Sequence, residues 1–196
     1  MIELSGFVFL IISLFLICNP FASLPLFIAA TEGHEESDVK QYANKAVIVA
    51  GILLFIFVLI GEPMMDIFNI TMESFQVAGG VILLMMSIEI IFSLKLSKME
   101  KGDAAWVIIA TPVLTGPGVI TSAILFSAQY GHLPVLIAGA ISLLSIWVIL
   151  RNSTTVMRFA GEQSIGIASR VIGLIIAAMA IEYMFTGASS WFSIYG

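Results

Sequence analysis

The chain has 196 residues, 60% of them apolar and only 11% charged, with a mean hydropathy of +1.09. That excess of apolar surface excludes a soluble globular domain and marks an integral membrane protein in a lipid bilayer. The net charge of −5 gives no sign of a nucleic-acid partner, since the eight Lys and Arg residues are scattered through loops without aromatic interleaving, and none is expected; the single Cys18 excludes an internal disulfide.

A transmembrane helix needs about 20 apolar residues. The first such run extends from about Ser5 to Ala30 and is interrupted at Asn19-Pro20. No basic segment precedes it and no cleavage site ends it, so it is expected to be a retained span and not a signal peptide. The polar segment Thr31–Asn44 leads to a second span, Ala46–Gly61, which Glu62-Pro63 is expected to end. A third runs from about Phe75 to Leu94, followed by the polar stretch Lys95–Asp103. The fourth, Ala104–Ala128, contains Thr111-Pro112-Val113-Leu114-Thr115-Gly116-Pro117-Gly118. Span five is Leu133–Leu150, and after the connection Arg151–Gln163 span six covers about Ile165–Phe185. The expected fold is an all-α membrane protein of six transmembrane helices.

Lys40, Lys45, Lys95, Lys98, Lys101, Arg151, Arg158 and Arg170 all fall at or beside the odd-numbered connections. Positively charged loops stay in the cytoplasm, which places those connections inside and both termini outside.

Three spans per half, entering from opposite sides, form an inverted arrangement with repeats at 1–95 and 96–196. Pro20 and Pro25 map onto Pro112 and Pro117 at an offset of 92; Gly80, Glu89 and Phe92 map onto Gly173, Glu182 and Phe185 at an offset of 93. Matched interruptions in inverted repeats point to a secondary transporter with its site near the membrane midplane. The first and fourth helices are therefore expected to be broken there.

A proline removes a backbone donor, and non-helical backbone at membrane depth survives only inside protein or beside a water-filled cavity. A half-helix starting after a break presents N–H groups and a positive dipole end suited to a carboxylate, and one ending at a break presents carbonyls suited to an ammonium. The substrate-binding candidates are Asn19, Pro20, Ser23 and Pro25 at the first break. At the second they are Thr111, Pro112, Thr115, Gly116, Pro117, Gly118, Thr121 and Ser122. None of these carries a fixed charge, so the fitting cargo is a small zwitterion. The alternative is a pair of proline kinks with packing roles only.

Glu89 and Glu182 are the acids within the spans; they are candidates for proton coupling or simply for headgroup contact near the helix ends. Both histidines, His34 and His132, fall in loops. No Cys/His/Asp/Glu cluster has metal-site spacing, and no Gly-x-Ser-x-Gly element occurs, so neither a metal, a cofactor nor an enzyme activity is expected. Ser169, Gly173 and Ala177, and Ala138, Ser142 and Ser145, form small-residue stripes that permit close helix approach within the bundle or between copies in a homo-oligomer.

Several segments together resemble the MarC family of prokaryotic inner-membrane proteins. They are Asn19-Pro20, Val77-Ala78-Gly79-Gly80, Thr115-Gly116-Pro117-Gly118-Val119-Ile120, Met157-Arg158-Phe159-Ala160-Gly161 and Ser169-Arg170-Val171-Ile172-Gly173. The resemblance covers essentially the whole chain. It implies six spans, a place in the lysine-exporter superfamily, and transport of small neutral amino acids such as glycine or alanine, coupled to a Na+ or H+ gradient. Thr115 stands where the family pattern has a small residue before Gly-Pro-Gly. Glu89 and Glu182 lie outside the resemblance. A pore or exporter for other small molecules or ions, and a non-transporting membrane scaffold, are the alternative expectations.

Overall fold

A computed structural model describes residues 3–93, 114 and 116–195, whose described elements are all helical. In chain order they are α1 (Leu4–Cys18), α2 (Pro20–Ala30), α3 (Glu36–Ile67), α4 (Met72–Phe92), α5 (Pro117–Tyr130), α6 (His132–Arg151), α7 (Ser153–Ala160) and α8 (Glu162–Tyr195). Among the described residues, five stretches are long and apolar enough to cross a membrane: Leu4–Ala30, α3, α4, α6, and α8 as far as Ile194. The expected fourth span is only partly in view, because 104–113 and 115 lie outside the described residues. Its second half is α5, at 14 residues too short to span alone.

Three expected boundaries are corrected. The second span does not wait for Ala46, nor does it end at Glu62-Pro63; α3 is one helix of 32 residues with Pro63 inside it. Pro63 withholds one N–H from the Leu59 carbonyl, but a single lost bond does not stop a helix whose flanking turns are packed. The acidic first turn, Glu36 and Asp38, favours the early start by opposing the dipole's positive end. The connection Arg151–Gln163 contains α7, whose Val156 and Met157 rest on the core. Span six continues past Phe185 to the end of α8, a helix of 34 residues.

The bundle is organised around α5, in which Gly118, Val119 and every residue from Thr121 to Ser127 are buried. A helix covered all round belongs in a core, and α5 is covered by α1, α3, α4 and α6. Around it α4 lies along α8, α3 along α6, and α1 along α6. The outward faces remain apolar: Ile48, Ile52, Phe55 and Ile60 on α3 and Leu144 and Val148 on α6 are exposed. That is the surface hydrocarbon solvates.

The small-residue stripes pack within the bundle. Ser142 donates from Oγ to the Ile11 carbonyl of α1 at 2.9 Å and also to Ala138 of its own helix, while Ser145 is exposed. Interhelical bonds of this kind contribute about 0.6 kcal/mol on average in membrane bundles. Ser142→Ala is therefore expected to lower the melting temperature only slightly, and a collapse of the purified variant would contradict that reading. At one end of the bundle Trp147 Nε1 donates to Asn44 Oδ1 at 2.7 Å, Arg151 Nη1 donates to the same oxygen at 3.3 Å, and the guanidinium lies over the Trp147 ring. Arg151 and Arg158 lie in the last turns of α6 and α7, and Arg170 Nη2 reaches Ser93 Oγ just beyond α4.

Candidate functional site

The first break forms as the sequence predicts. Pro20 cannot donate to the preceding turn, and the residue before a proline is pushed out of the helical region. Asn19 takes the left-handed conformation, φ 41° and ψ 72°, which asparagine tolerates better than most residues. From there its N–H closes α1 on the carbonyls of Phe15 and Leu16. Its Oδ1 accepts from the Ala22 N–H at 3.1 Å and so caps α2, while Pro20 occupies the first helical position. Ser23 Oγ donates back to the Asn19 carbonyl at 3.0 Å. Asn19 Nδ2 donates to Ser169 Oγ on α8 at 3.5 Å.

Asn19 is 1% exposed, and among the described residues its amide uses one N–H, to Ser169, and one acceptor position, to Ala22. Farther along α2, Pro25 leaves the Phe21 carbonyl without its intrahelical donor. Pro25 lines an open groove of about 590 Å³ with Glu162, Gln163, Gly166, Ile167 and Arg170, at the end of the bundle that carries the basic residues. Ser169, adjoining Arg170, links that groove's helix to Asn19.

Of the second break, Thr111, Pro112 and Thr115 lie outside the described residues. Gly116 caps α5 without any side-chain hydrogen bond, and its carbonyl accepts from the N–H groups of Val119 and Ile120. Gly116 and Gly118 are buried, while Pro117 between them is exposed. A Cβ added at Gly118 would stand 2.8 Å from Leu83 Cδ2 and 3.0 Å from Met86 Sδ, and one added at Gly79 would collide with the Thr121 side chain. The absence of both side chains seats α5 directly on α4.

Thr121 and Ser122 follow one and two residues after that first turn, both buried. Ser122 Oγ and the phenolic oxygen of Tyr183 on α8 are both fully enclosed; they face each other, and neither has a hydrogen-bond partner elsewhere. Tyr183 belongs to an aromatic group centred on Phe126. The Phe126 ring lies edge-on to Tyr183 at 6.4 Å, Tyr130 at 6.3 Å and Phe9 at 5.9 Å.

The structure thus gathers the candidate residues into two groups. Asn19, Pro20 and Ser23 stand with Ser169 against α8; Gly116, Pro117, Gly118, Thr121 and Ser122 stand against α4, with Tyr183 closing over Ser122. Among the described residues no hydrogen bond joins the two groups. Sequence reasoning missed Tyr183 and read Ser169 as packing only. The available signal was the repeat itself: at an offset of 93, Tyr183 replaces Ile90, a polar hydroxyl where the first half has a plain aliphatic. Glu89 is partly buried on the last turn but one of α4, and Glu182 is exposed on the outer face of α8.

Residues 4–192 match the family model described as MarC family integral membrane protein. A UPF0056 membrane protein of Methanocaldococcus jannaschii is 31% identical over 94% of this chain and 97% of its own length. The UPF0056 membrane protein YhcE of Escherichia coli is 28% identical over 92% and 91% of the two chains. The inner membrane protein YhgN of the same organism is 28% identical over 91% and 93%. No solved structure matches.

Proposed function

The chain belongs to the MarC family of integral membrane proteins, and from that premise we propose that it is a secondary transporter of small neutral amino acids, glycine or alanine in size. The cargo sits between the two broken helices, and access alternates as two inverted repeats rock about it. Asn19 and the carbonyls ending α1 face the ammonium; the uncapped start of α5 faces the carboxylate. The setting is a prokaryotic inner membrane, with the basic end of the bundle cytoplasmic and both termini outside.

The observation that carries this reading is the reciprocity of the packing. A Cβ at Gly80 would meet Met184 and Ala180 of α8, and one at Gly173 would meet Ile90 and Ile91 of α4. At the offset of 93, Gly80 becomes Gly173 and Ile91 becomes Met184, so one contact is the image of the other. Whole helices obey the same exchange. The first broken helix packs on α6 as α5 packs on α3, and α2 meets α8 as α5 meets α4. Such pairs are what a two-fold relation between the halves would produce, and they support the inverted-repeat reading.

A second reading, a membrane scaffold with kinked helices, draws support from the first break, where Asn19 already caps α2 and reaches Ser169. Binding separates the two. A ligand that binds only the folded protein raises its stability by RT ln(1 + [L]/Kd), about 2.7 kcal/mol at a hundred-fold excess over Kd. Glycine or alanine is expected to raise the melting temperature of the purified protein in a saturable way, with lysine inert. An unchanged melting point with both would favour the scaffold.

A further inference from the structure

Among the described residues, four of the eight buried serines, Ser23, Ser87, Ser127 and Ser142, close their hydroxyls onto a carbonyl. Ser87 donates to Leu84 at 2.7 Å, Ser127 to Ile124 at 2.8 Å, and Ser142 to Ala138 at 2.9 Å. Such bonds to the preceding turn are the ordinary recourse of a hydroxyl in a helix interior. Ser122, on the same helix as Ser127 and 0% exposed, makes none. It faces the Tyr183 oxygen, which is also enclosed; the two can share at most one hydrogen between them, and neither has a partner elsewhere.

Two such groups side by side in an apolar core run against the rule that buried polar atoms are paired, and each such exception calls for an explanation. Replacing both by apolar groups of the same shape would be neutral or stabilising for the fold alone. Their chemistry narrows the missing partner. Each hydroxyl has one hydrogen to give and lone pairs to accept with, so the pair alone suits either an acceptor or a donor; the uncapped, positive end of α5 one turn before Ser122 favours an anionic acceptor that takes both hydrogens. The Phe126 ring packs against Tyr183, with Phe9 and Tyr130 beyond it. Those rings exclude water from one side, and hydrogen bonds to an ionised acceptor gain most where the dielectric is low.

We propose that Ser122 and Tyr183 form a two-hydroxyl clamp for the carboxylate of the transported amino acid, with Tyr183 a substrate-binding residue supplied by α8. The inference rests on the transporter reading above and names the side chains that hold one end of its cargo. It also gives the second repeat a role the first cannot copy, because Ile90 stands at the position equivalent to Tyr183.

The test compares wild type, Ser122→Ala, Tyr183→Phe and the double variant by melting temperature in glycine and in glycinamide, which keeps the amine and lacks the carboxylate. Each single variant is expected to weaken glycine binding roughly ten-fold, the weight of one hydrogen bond to a charged group. The ligand-free double variant should melt as high as wild type or higher, and glycinamide should stabilise wild type less than glycine does. If wild type responds to glycine and the double variant responds equally, the clamp is refuted while the transporter stands. An equal response of wild type to glycinamide, or a marked fall in the ligand-free melting point of the double variant, also refutes it. If wild type ignores glycine and alanine alike, the transporter reading falls and the clamp falls with it.

Discussion

Gly80→Ala is expected to drive α4 from α8 and to lower the melting temperature of the purified protein sharply. The new Cβ would stand 2.5 Å from Met184 Cγ, 2.7 Å from the Ala180 carbonyl oxygen and 3.2 Å from the Met184 nitrogen. A methionine side chain can turn aside; a helix backbone cannot, so the two helices must separate. Overpacking of this kind costs about 1–3 kcal/mol, and alanine's better helix propensity returns at most about 1 kcal/mol. The matched substitution Gly173→Ala meets only side-chain atoms of Ile90 and Ile91, at 3.0 Å, and should fall well short of the Gly80 effect. Equal melting temperatures for the two variants would show that the α4–α8 seam is not backbone-limited at Gly80.

Asn19→Ala is expected to be the most damaging single change at the breaks. Alanine in the left-handed region costs about 1–2 kcal/mol, and loss of the side-chain cap on the Ala22 N–H adds about 1 kcal/mol. The Ser169 hydroxyl loses its donor as well. Glycine loses the cap and the Ser169 contact as alanine does but accepts the same φ of 41° without strain, so Asn19→Gly should lie between wild type and Asn19→Ala in thermal stability. If glycine proves no better than alanine, the left-handed turn is not what asparagine supplies.

The break itself was legible because Asn-Pro states its own geometry. A proline closes the helical path, and asparagine is among the few side chains that accept the turn left behind. Pro63 shows the limit of that rule. Beside Glu62 it reads as a stop, yet α3 runs through it, because one missing hydrogen bond is outweighed when both flanking turns are packed. The short α7 was concealed by its polarity: Arg158 and three hydroxyl residues, Ser153, Thr154 and Thr155, read as loop, while only Val156 and Met157 bind it to the core.

The candidate site was legible by half. Breaks announce themselves through proline and glycine, whereas the partners that complete them come from far along the chain. Ser169 meets Asn19 across 150 positions, and Tyr183 reaches Ser122 from a different helix. Nothing in local spacing joins such pairs; the repeat offset does, by marking Tyr183 as a departure from Ile90.

The central claim is that the broken helices hold a small neutral amino acid and carry it across the membrane. Counterflow tests it most directly: liposomes containing the purified protein are loaded with unlabelled glycine or alanine, and labelled amino acid is supplied outside. The account predicts transient accumulation of label above equilibrium in wild type, abolished by Gly118→Leu, whose larger side chain would press into Leu83 and Met86 and move the start of α5. Ion conductance without counterflow would identify a pore. Label that never exceeds the level in empty liposomes, with protein confirmed folded and inserted, would contradict the account.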